Sequence, residues 1–387
     1  MIDSFPEEIS HDILSRLPIK CLIRCTSVSK PLLSIIKNSG FIRTHLRRRH
    51  ETLLLLHSRC YRASMHEGTE EVYRLHCDNP AFDEYCRIDF QVDRMVDPIN
   101  GRFRVAGICD GLVCLADDLI SKALSYIIWN PTIRKAVMLP RPGFTFTTHG
   151  PFEDSIGFGF DAMTNDYKVV RLVTLENLVD EDAENPTVAE VYSLATGSWR
   201  SLGSVGLPCK IFCTRPHAFF NGNIHWVVHA VASFYFILAF DLDSESFRKI
   251  LIPIGTELGF NSRVSVTGDG KYLALFTWYN DKNDISYLDI WVMKEYCQQE
   301  SWTKMITLAP QGPEGSVRPK PFCFRKSGEV FLELREPYFY RRYQTLVSLD
   351  PVSQQMNNVD ILDCECYSLD SYEESLVLLD VENAVSC

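Results

Sequence analysis

The side chains best equipped for chemistry in this sequence are its histidines, cysteines and aspartates, together with one Gly-rich phrase. Gly157-Phe-Gly-Phe-Asp161 carries two glycines of a dinucleotide-binding loop, whose backbone N–H groups would cradle a pyrophosphate. The third glycine is missing, and the flanking residues alternate as strands rather than opening a helix. His66-Glu67 lacks the second histidine of a zinc-protease helix, and no Gly-x-Ser-x-Gly elbow occurs. The cysteine pairs Cys109/Cys114, Cys209/Cys213 and Cys364/Cys366 do not have zinc-finger spacing. His225, in Asn-Ile-His-Trp, stands among strand residues and reads as a packed, hydrogen-bonded core histidine. Asp110, Asp161, Asp166 and Asp241 fall at strand ends, where Asp caps its own backbone. Trp129, Trp199, Trp226, Trp291 and Trp302 recur at equivalent places and read as packing residues rather than a stacking platform. No catalytic residue, metal site or cofactor is expected.

The elements around these residues divide the chain unequally. Its 387 residues are 46% hydrophobic and 23% charged, enough for a sizeable core and against wholesale disorder. The net charge of −11 argues against general nucleic-acid or anionic-membrane binding. Residues 1–50 nevertheless net +5, and the remainder −16. The first residues have no basic n-region or apolar h-region, and the longest apolar run, around Val227 to Phe240, is strand-like. These features, with fourteen cysteines read as reduced thiols, lead to the expectation of a cytoplasmic or nuclear protein without a membrane span.

Residues 1–48 read as short helices. Pro6 suits a first turn, with Glu7 and Glu8 beside the positive end of the helix dipole. Ile9, Ile13, Leu14 and Leu17 share one face. Pro18 ends this helix and starts the next, where Leu22, Ile23 and Cys25 are apolar. Ser27 or Ser29 caps a third, and Phe41, Ile42 and Leu46 mark a fourth that ends in Arg47-Arg48-Arg49. Helices this short bury little surface alone and need a partner. The series Phe5-Pro6-Glu7-Glu8-Ile9, Ile13-Leu14-Ser15-Arg16-Leu17-Pro18, Leu22-Ile23-Arg24-Cys25 and Val28-Ser29-Lys30 resembles an F-box. One departure is that Pro31-Leu32-Leu33 stands where the F-box usually has Trp, so Leu32 or Leu33 takes its place with less area. The resemblance implies docking onto a Skp-type adaptor and through it a cullin. Phe5, Pro6, Ile9, Ile13, Leu14, Leu17, Pro18, Leu22, Val28 and Leu32 would then divide between the internal seam and the adaptor interface.

From residue 51 the apolar period switches to 2. Hairpin turns fall near 110, 166, 221, 269 and 327, a mean step of about 54, close to the period of kelch-type blades. Strands at Leu53–His57 and Val72–Leu75, with others near Tyr367 and over Leu376–Leu379, can complete a sixth blade from both chain ends. Such closure removes exposed edges. A β-sandwich is the alternative. The phrases Gly107-Ile-Cys-Asp-Gly-Leu112, Trp129-Asn-Pro-Thr132, Asp166-Tyr-Lys-Val-Val170, Glu190-Val-Tyr-Ser-Leu194, Asn221-Gly-Asn-Ile-His-Trp226 and Ser301-Trp-Thr-Lys304 resemble the F-box-associated domain of plant F-box proteins of the S-locus-F-box-like kind. The expected architecture is therefore a small all-α F-box module (1–48) and an all-β kelch-like propeller of about six blades (49–387, motif-rich over 105–380).

What the resemblance implies is a non-catalytic substrate receptor of a ubiquitin ligase, recruiting an unidentified target protein. The long connections Arg141–Asp154, Glu176–Pro186, Val231–Tyr235, Tyr279–Tyr287 and Arg335–Tyr343 are candidate target contacts. Tyr338, Phe339, Tyr340, Arg341, Arg342 and Tyr343 stand out among them, because Tyr and Arg are enriched at interface hot spots. The alternatives are an adaptor-independent propeller scaffold and a propeller enzyme with a metal or clustered carboxylates at a central channel.

Overall fold

A computed structural model describes residues 6–48, 52–61, 69–90, 103–117, 125–175, 187–207, 209–211, 217–230, 235–254, 256, 262–280, 286–310, 317–335, 344–359, 364–378, 381 and 384–386. The chain begins with four helices: α1 (Glu7–Ser15), α2 (Ile19–Cys25), α3 (Lys30–Lys37) and α4 (Ser39–Arg48). Pro6 and Pro18 are the N-caps of α1 and α2. Ser29 caps α3 by accepting from Leu32 N. Asn38, which the sequence pattern did not single out, starts α4 by accepting from the N–H groups of Gly40 and Phe41. Leu14, Ile19, Leu22, Leu32, Ile36, Phe41 and Ile42 form the module's core. Arg48 of α4 reaches back to Asp12 of α1 at 3.2 Å, so the Arg-rich helix end is a tie within the module.

The rest is β-structure. β1 (Leu53–Tyr61), β2 (Thr69–Cys77) and β3 (Glu84–Ile88) come first. The second group is β4 (Arg104–Cys109), β5 (Leu112–Asp117), β6 (Ser125–Asn130) and β7 (Lys135–Met138). After a one-turn helix, α5 (Phe146–His149), follow β8 (Phe152–Asp161), β9 (Asp166–Leu175), β10 (Thr187–Ser193) and β11 (Ser198–Ser204). Next are β12 (Cys209–Lys210), β13 (Ala218–Phe220), β14 (Asn223–Ala230), β15 (Tyr235–Asp241) and β16 (Ser246–Ile250). Then come β17 (Arg263–Val266), β18 (Leu273–Asn280), β19 (Ser286–Met293) and β20 (Trp302–Leu308). The last are β21 (Arg318–Phe324), β22 (Val330–Arg335), β23 (Gln344–Leu349), β24 (Met356–Val359), β25 (Cys364–Tyr372) and β26 (Val385–Ser386).

These strands form six antiparallel sheets. Their first strands meet in a closed cycle: β4 contacts β8, β8 contacts β13, β13 contacts β17, β17 contacts β21, β21 contacts β25, and β25 returns to β4. The fold is a six-bladed propeller, not a sandwich. The sixth blade is β25-β1-β2-β3, with β25 from the C-terminal end paired along β1 from the N-terminal end. The strand expected over Leu376–Leu379 is absent from the described part of that stretch. Residues 373–378 leave the sheet as a turn-containing segment, and β26 instead adds to the outer edge of β7.

Closure explains the composition of the strands. Each sheet is covered on both faces by neighbouring blades, so its middle strands, such as β5 and β6, are buried at successive positions, while outer strands such as β11 are largely exposed. In β1, Leu53 and Leu55 pack toward the β4–β7 blade, while Leu54 and Leu56 pack toward the β21–β24 blade. Burying each leucine contributes about 1.5–3 kcal/mol. The junction clusters also explain the Gly-rich phrase. A Cβ on Gly157 would stand 2.5 Å from the ring of Trp226 in the next blade, so this glycine serves close blade packing. Trp129 and Trp226 are fully buried in junctions. Polar ties join the blades at their ends. Arg325 holds Asp78 at 2.9 Å and Glu329 at 2.8 Å, and donates to Asn79 O at 2.6 Å, which ties the β21–β24 blade to the closing blade.

Candidate protein-interaction surfaces

The helical module presents a divided set of apolar residues. Ile9 and Ile13, one turn apart on α1, are 47% and 39% exposed, and Val28, between α2 and α3, is 73% exposed. Pro6 and Pro18 are exposed, and Leu17 is half-buried. Leu14, Leu22 and Leu32 are buried in the module's own core and are not available to an adaptor. Leu32 therefore fills an internal site rather than the place of a docking Trp, while Leu33 is half-buried. The face expected for α1 is corrected in the same way: Ser10, Leu14 and Leu17 turn inward, and Ile9 and Ile13 turn outward. A full turn of a helix with two exposed isoleucines is a surface that a partner would cover. Phe5 lies outside the described residues.

The module sits on one end of the propeller. Ile133, in the β6–β7 turn, and Leu376 and Val377 pack on its core. Arg43 donates to Asn165 in the β8–β9 turn at 2.5 Å, and Lys20 stands 4.8 Å from the Tyr85 ring. In every complete blade the first–second and third–fourth turns share this end, because strands alternate in direction. The second-to-third connections therefore leave from the other end. The described strand ends that flank them include Leu175 and Thr187, Ala230 and Tyr235, and Arg335 and Gln344. The segments expected to contact a target, Glu176–Pro186, most of Val231–Tyr235, the middle of Tyr279–Tyr287 and Tyr338, Phe339, Tyr340, Arg341, Arg342 and Tyr343, lie outside the described residues.

The one described connection at this far end is 139–151, which carries α5. It is held from below by a side chain that sequence reasoning missed. Arg171 of β9 is 0% exposed. Its Nε donates to Asp154 at 2.6 Å, and its Nη1 to Glu190 at 2.6 Å and to Phe144 O at 2.8 Å. Glu190 also accepts from Gly143 N at 2.9 Å, and the guanidinium lies over the Phe152 ring at 4.9 Å. Burial opposes the Arg171 charge, but Tyr126, Asp154 and Glu190 outweigh it and hold its pKa above the ordinary value. Two buried carboxylates thus hold one arginine, and the arginine holds the loop. The signal was present in the sequence as single charges inside apolar strands at 171 and 190, with Asp154 beside Glu153 near the start of a third.

The residues weighed for catalysis take structural places. His225 is fully buried between two partners, Ala218 O at 3.2 Å and Tyr296 Oη at 2.8 Å. The neutral ring with the proton on Nδ1 satisfies both, donating to the carbonyl and accepting from the phenol. Asp161 and Asp241 accept from backbone N–H groups of their own turns. Asp166 instead receives Ala195 N from the next hairpin, and Asp110 receives Tyr167 Oη. Among the described residues, no three His, Cys, Asp or Glu side chains gather as a metal-binding group. No described helix is long and apolar enough to cross a membrane.

A pH dependence follows from His225. Burial, with a smaller effect of Arg248, lowers its pKa from 6.5 to about 4. The unfolded chain therefore takes up the proton first. Stability is full above pH 6.5 and falls as pH drops toward 4. By linkage, this histidine alone lowers the unfolding free energy by about 2 kcal/mol at pH 5. Urea unfolding at pH 7 and pH 5 should show that loss, and His225→Gln should show a shallower slope. Equal slopes in both proteins would contradict the assignment.

Comparison with known families decides what the two bodies are. Residues 2–44 match the F-box domain, and residues 85–377 match the F-box associated beta propeller domain. The chain belongs to the F-box proteins that carry an F-box-associated β-propeller. Relatives from Arabidopsis thaliana match along most of their length. F-box protein CPR1 is 28% identical over 396 residues, covering 97% of this chain and 89% of the relative. F-box protein At3g07870 is 26% identical, with 90% and 86% covered, and F-box protein At4g22390 is 25% identical, with 96% and 90% covered. In this F-box protein, α1–α4 are thus the F-box, and the six blades are its associated propeller.

Proposed function

We propose that this chain is the target-recruiting subunit of a Skp–cullin–F-box ubiquitin ligase. The exposed residues Ile9, Ile13 and Val28 of the F-box dock on a Skp-type adaptor and, through it, a cullin. The far end of the propeller, where 139–151 and the second-to-third connections emerge, holds a target protein. The chain supplies no catalytic group. It acts by proximity, raising the effective concentration of target lysines near the activated ubiquitin.

The observation that carries this reading is the placement of two unlike surfaces at opposite ends of one body. An exposed apolar helix face lies at one end, and the second-to-third connections leave from the other. On this reading the protein works in the cytosol or the nucleus.

The test is purification of the tagged full-length chain from plant cells, with and without proteasome inhibition. A Skp-type adaptor and a cullin are expected at near-equal amounts with the chain in both. Ubiquitin-conjugated proteins should accumulate on the chain when the proteasome is blocked. A chain recovered with partner proteins but without adaptor or cullin would overturn the receptor reading in favour of an adaptor-independent scaffold.

A further inference from the structure

The segment that follows β25 crosses the end of the propeller beneath the F-box. Ser375, Leu376 and Leu378 are 0%, 1% and 0% exposed. Leu376 enters the F-box core beside Leu14, Leu22 and Ile36. Leu378 turns to the other side and joins the cluster between the β4–β7 and β8–β11 blades. Beyond it, Val385 and Ser386 pair with Ala136 and Lys135 at the rim. The described residues of this stretch therefore touch both bodies, Leu376 the F-box and Leu378, Val385 and Ser386 the propeller.

Its socket is made of two sequence phrases that first stood out as family signatures. Asn130, of Trp-Asn-Pro-Thr, is fully buried, and its Nδ2 donates to Ser375 O at 3.0 Å, Ser375 Oγ at 3.2 Å and Val377 O at 2.8 Å. Its Oδ1 accepts from Thr132 N at 3.0 Å, which fixes the amide. Thr132 Oγ1 meets Tyr372 Oη at 2.8 Å. Gly111, of Asp-Gly-Leu, has a φ of +75°, and a Cβ there would collide with Glu373 O and lie 2.7 Å from Ser375 Oγ. The glycine is needed for its backbone shape and for the room it leaves to this strap. Described ties between F-box and propeller that bypass the strap are the half-buried Ile133 and the polar, peripheral contacts of Arg43 with Asn165 and Lys20 over Tyr85. Exposed polar contacts of that kind constrain little.

We propose that the strap Ser375–Leu378 is a strut that sets the bearing of the F-box on the propeller, with Leu376 as its positioning residue. It rests on the receptor reading only for its purpose: a fixed bearing limits which lysines face the ubiquitin-charged enzyme. A segment that places Leu376 in one core and Leu378 in the other couples the two as one body, whereas a chain without it would leave the F-box held by Ile133 and peripheral polar contacts.

Pulsed dipolar spectroscopy tests this on the full-length chain. Ketone-bearing residues at the exposed positions Glu8 and Thr196 take spin labels without disturbing the cysteines. The unaltered protein and Leu376→Met should give one narrow distance. Leu376→Asp and Asn130→Ala should broaden the distribution at least twofold. Adaptor capture should stay within threefold, showing that the F-box remains folded. If Leu376→Asp loses capture, Asn130→Ala, which leaves the core intact, decides. A narrow distance in Asn130→Ala, or a broad one in the unaltered protein, would overturn the strut. In a reconstituted ligase, self-modification should concentrate on few lysines and spread in Asn130→Ala. An unchanged lysine pattern despite broadened distances would overturn the purpose. Failure of the unaltered chain to capture adaptor would instead sink the receptor reading and leave the distance result standing.

Discussion

Replacing Arg171 by Leu is expected to lower the unfolding free energy by about 3–5 kcal/mol, among the largest losses from a single change in this protein. The size follows from what stays behind. Asp154 and Glu190 are 6% and 1% exposed, and their partner would be gone. A buried carboxylate without a counter-charge either remains ionised at high cost or takes up a proton, and both outcomes favour unfolding. The replacement of all three residues by Leu separates this mechanism from lost packing. If uncompensated charge is the cause, the triple variant recovers much of the loss, because apolar residues of similar volume replace a buried ion cluster at little cost. A triple variant as unstable as Arg171→Leu would contradict the explanation. The same substitution also removes the donor to Phe144 O. Hydrogen exchange at residues 143–150 should accelerate more than exchange in β8 and β9.

The double variant Ile9→Asp with Ile13→Asp is expected to weaken adaptor capture at least about a hundredfold, or about 2.7 kcal/mol. Both side chains are exposed, so the F-box loses no core packing. On docking, however, the new carboxylates would have to leave water without a partner. The far-UV circular dichroism should match that of the unaltered chain. Leu14→Asp is the informative contrast: Leu14 is 0% exposed inside the module, so that change should melt the helices as well as abolish capture. Capture by the double variant within threefold of the unaltered chain would place the docking surface elsewhere.

Local periodicity carried the broad architecture. The switch from period 3.6 to period 2 at residue 51 lies between α4, which ends at Arg48, and β1, which begins at Leu53. The turn spacing carried the six blades, and the need to close the ring carried the pairing of both chain ends. The division of α1 was not legible. Ile9, Ile13 and Leu14 are equally apolar in sequence, and only the placement of α4 and Leu376 decides which of them turn inward. Leu376 itself was read as a strand residue, within the apolar run Leu376–Leu379. Within that run Leu376 and Leu378 serve two different bodies, the F-box on one side and a blade junction on the other. Asn130 and Gly111 were visible as recurrent phrases, while their reason, a strap more than 240 residues away, is a long-range contact that no local pattern encodes. Arg171 was obscured for a related cause. Its partners lie on two adjacent strands, so the cluster exists only in the register Asp154–Val173 and Arg171–Glu190.

The charge of the two bodies gains a place in this picture. The basic F-box segment lies at one end of an acidic propeller, an arrangement that favours an acidic adaptor by steering. The most direct measurement is a calorimetric titration of the purified full-length chain with a purified Skp-type adaptor. The account predicts one-to-one binding at about 1 μM or tighter, with heat that persists at moderate salt because the contact is largely apolar. No detectable binding at about 50 μM adaptor, with the chain shown to be folded, would contradict it.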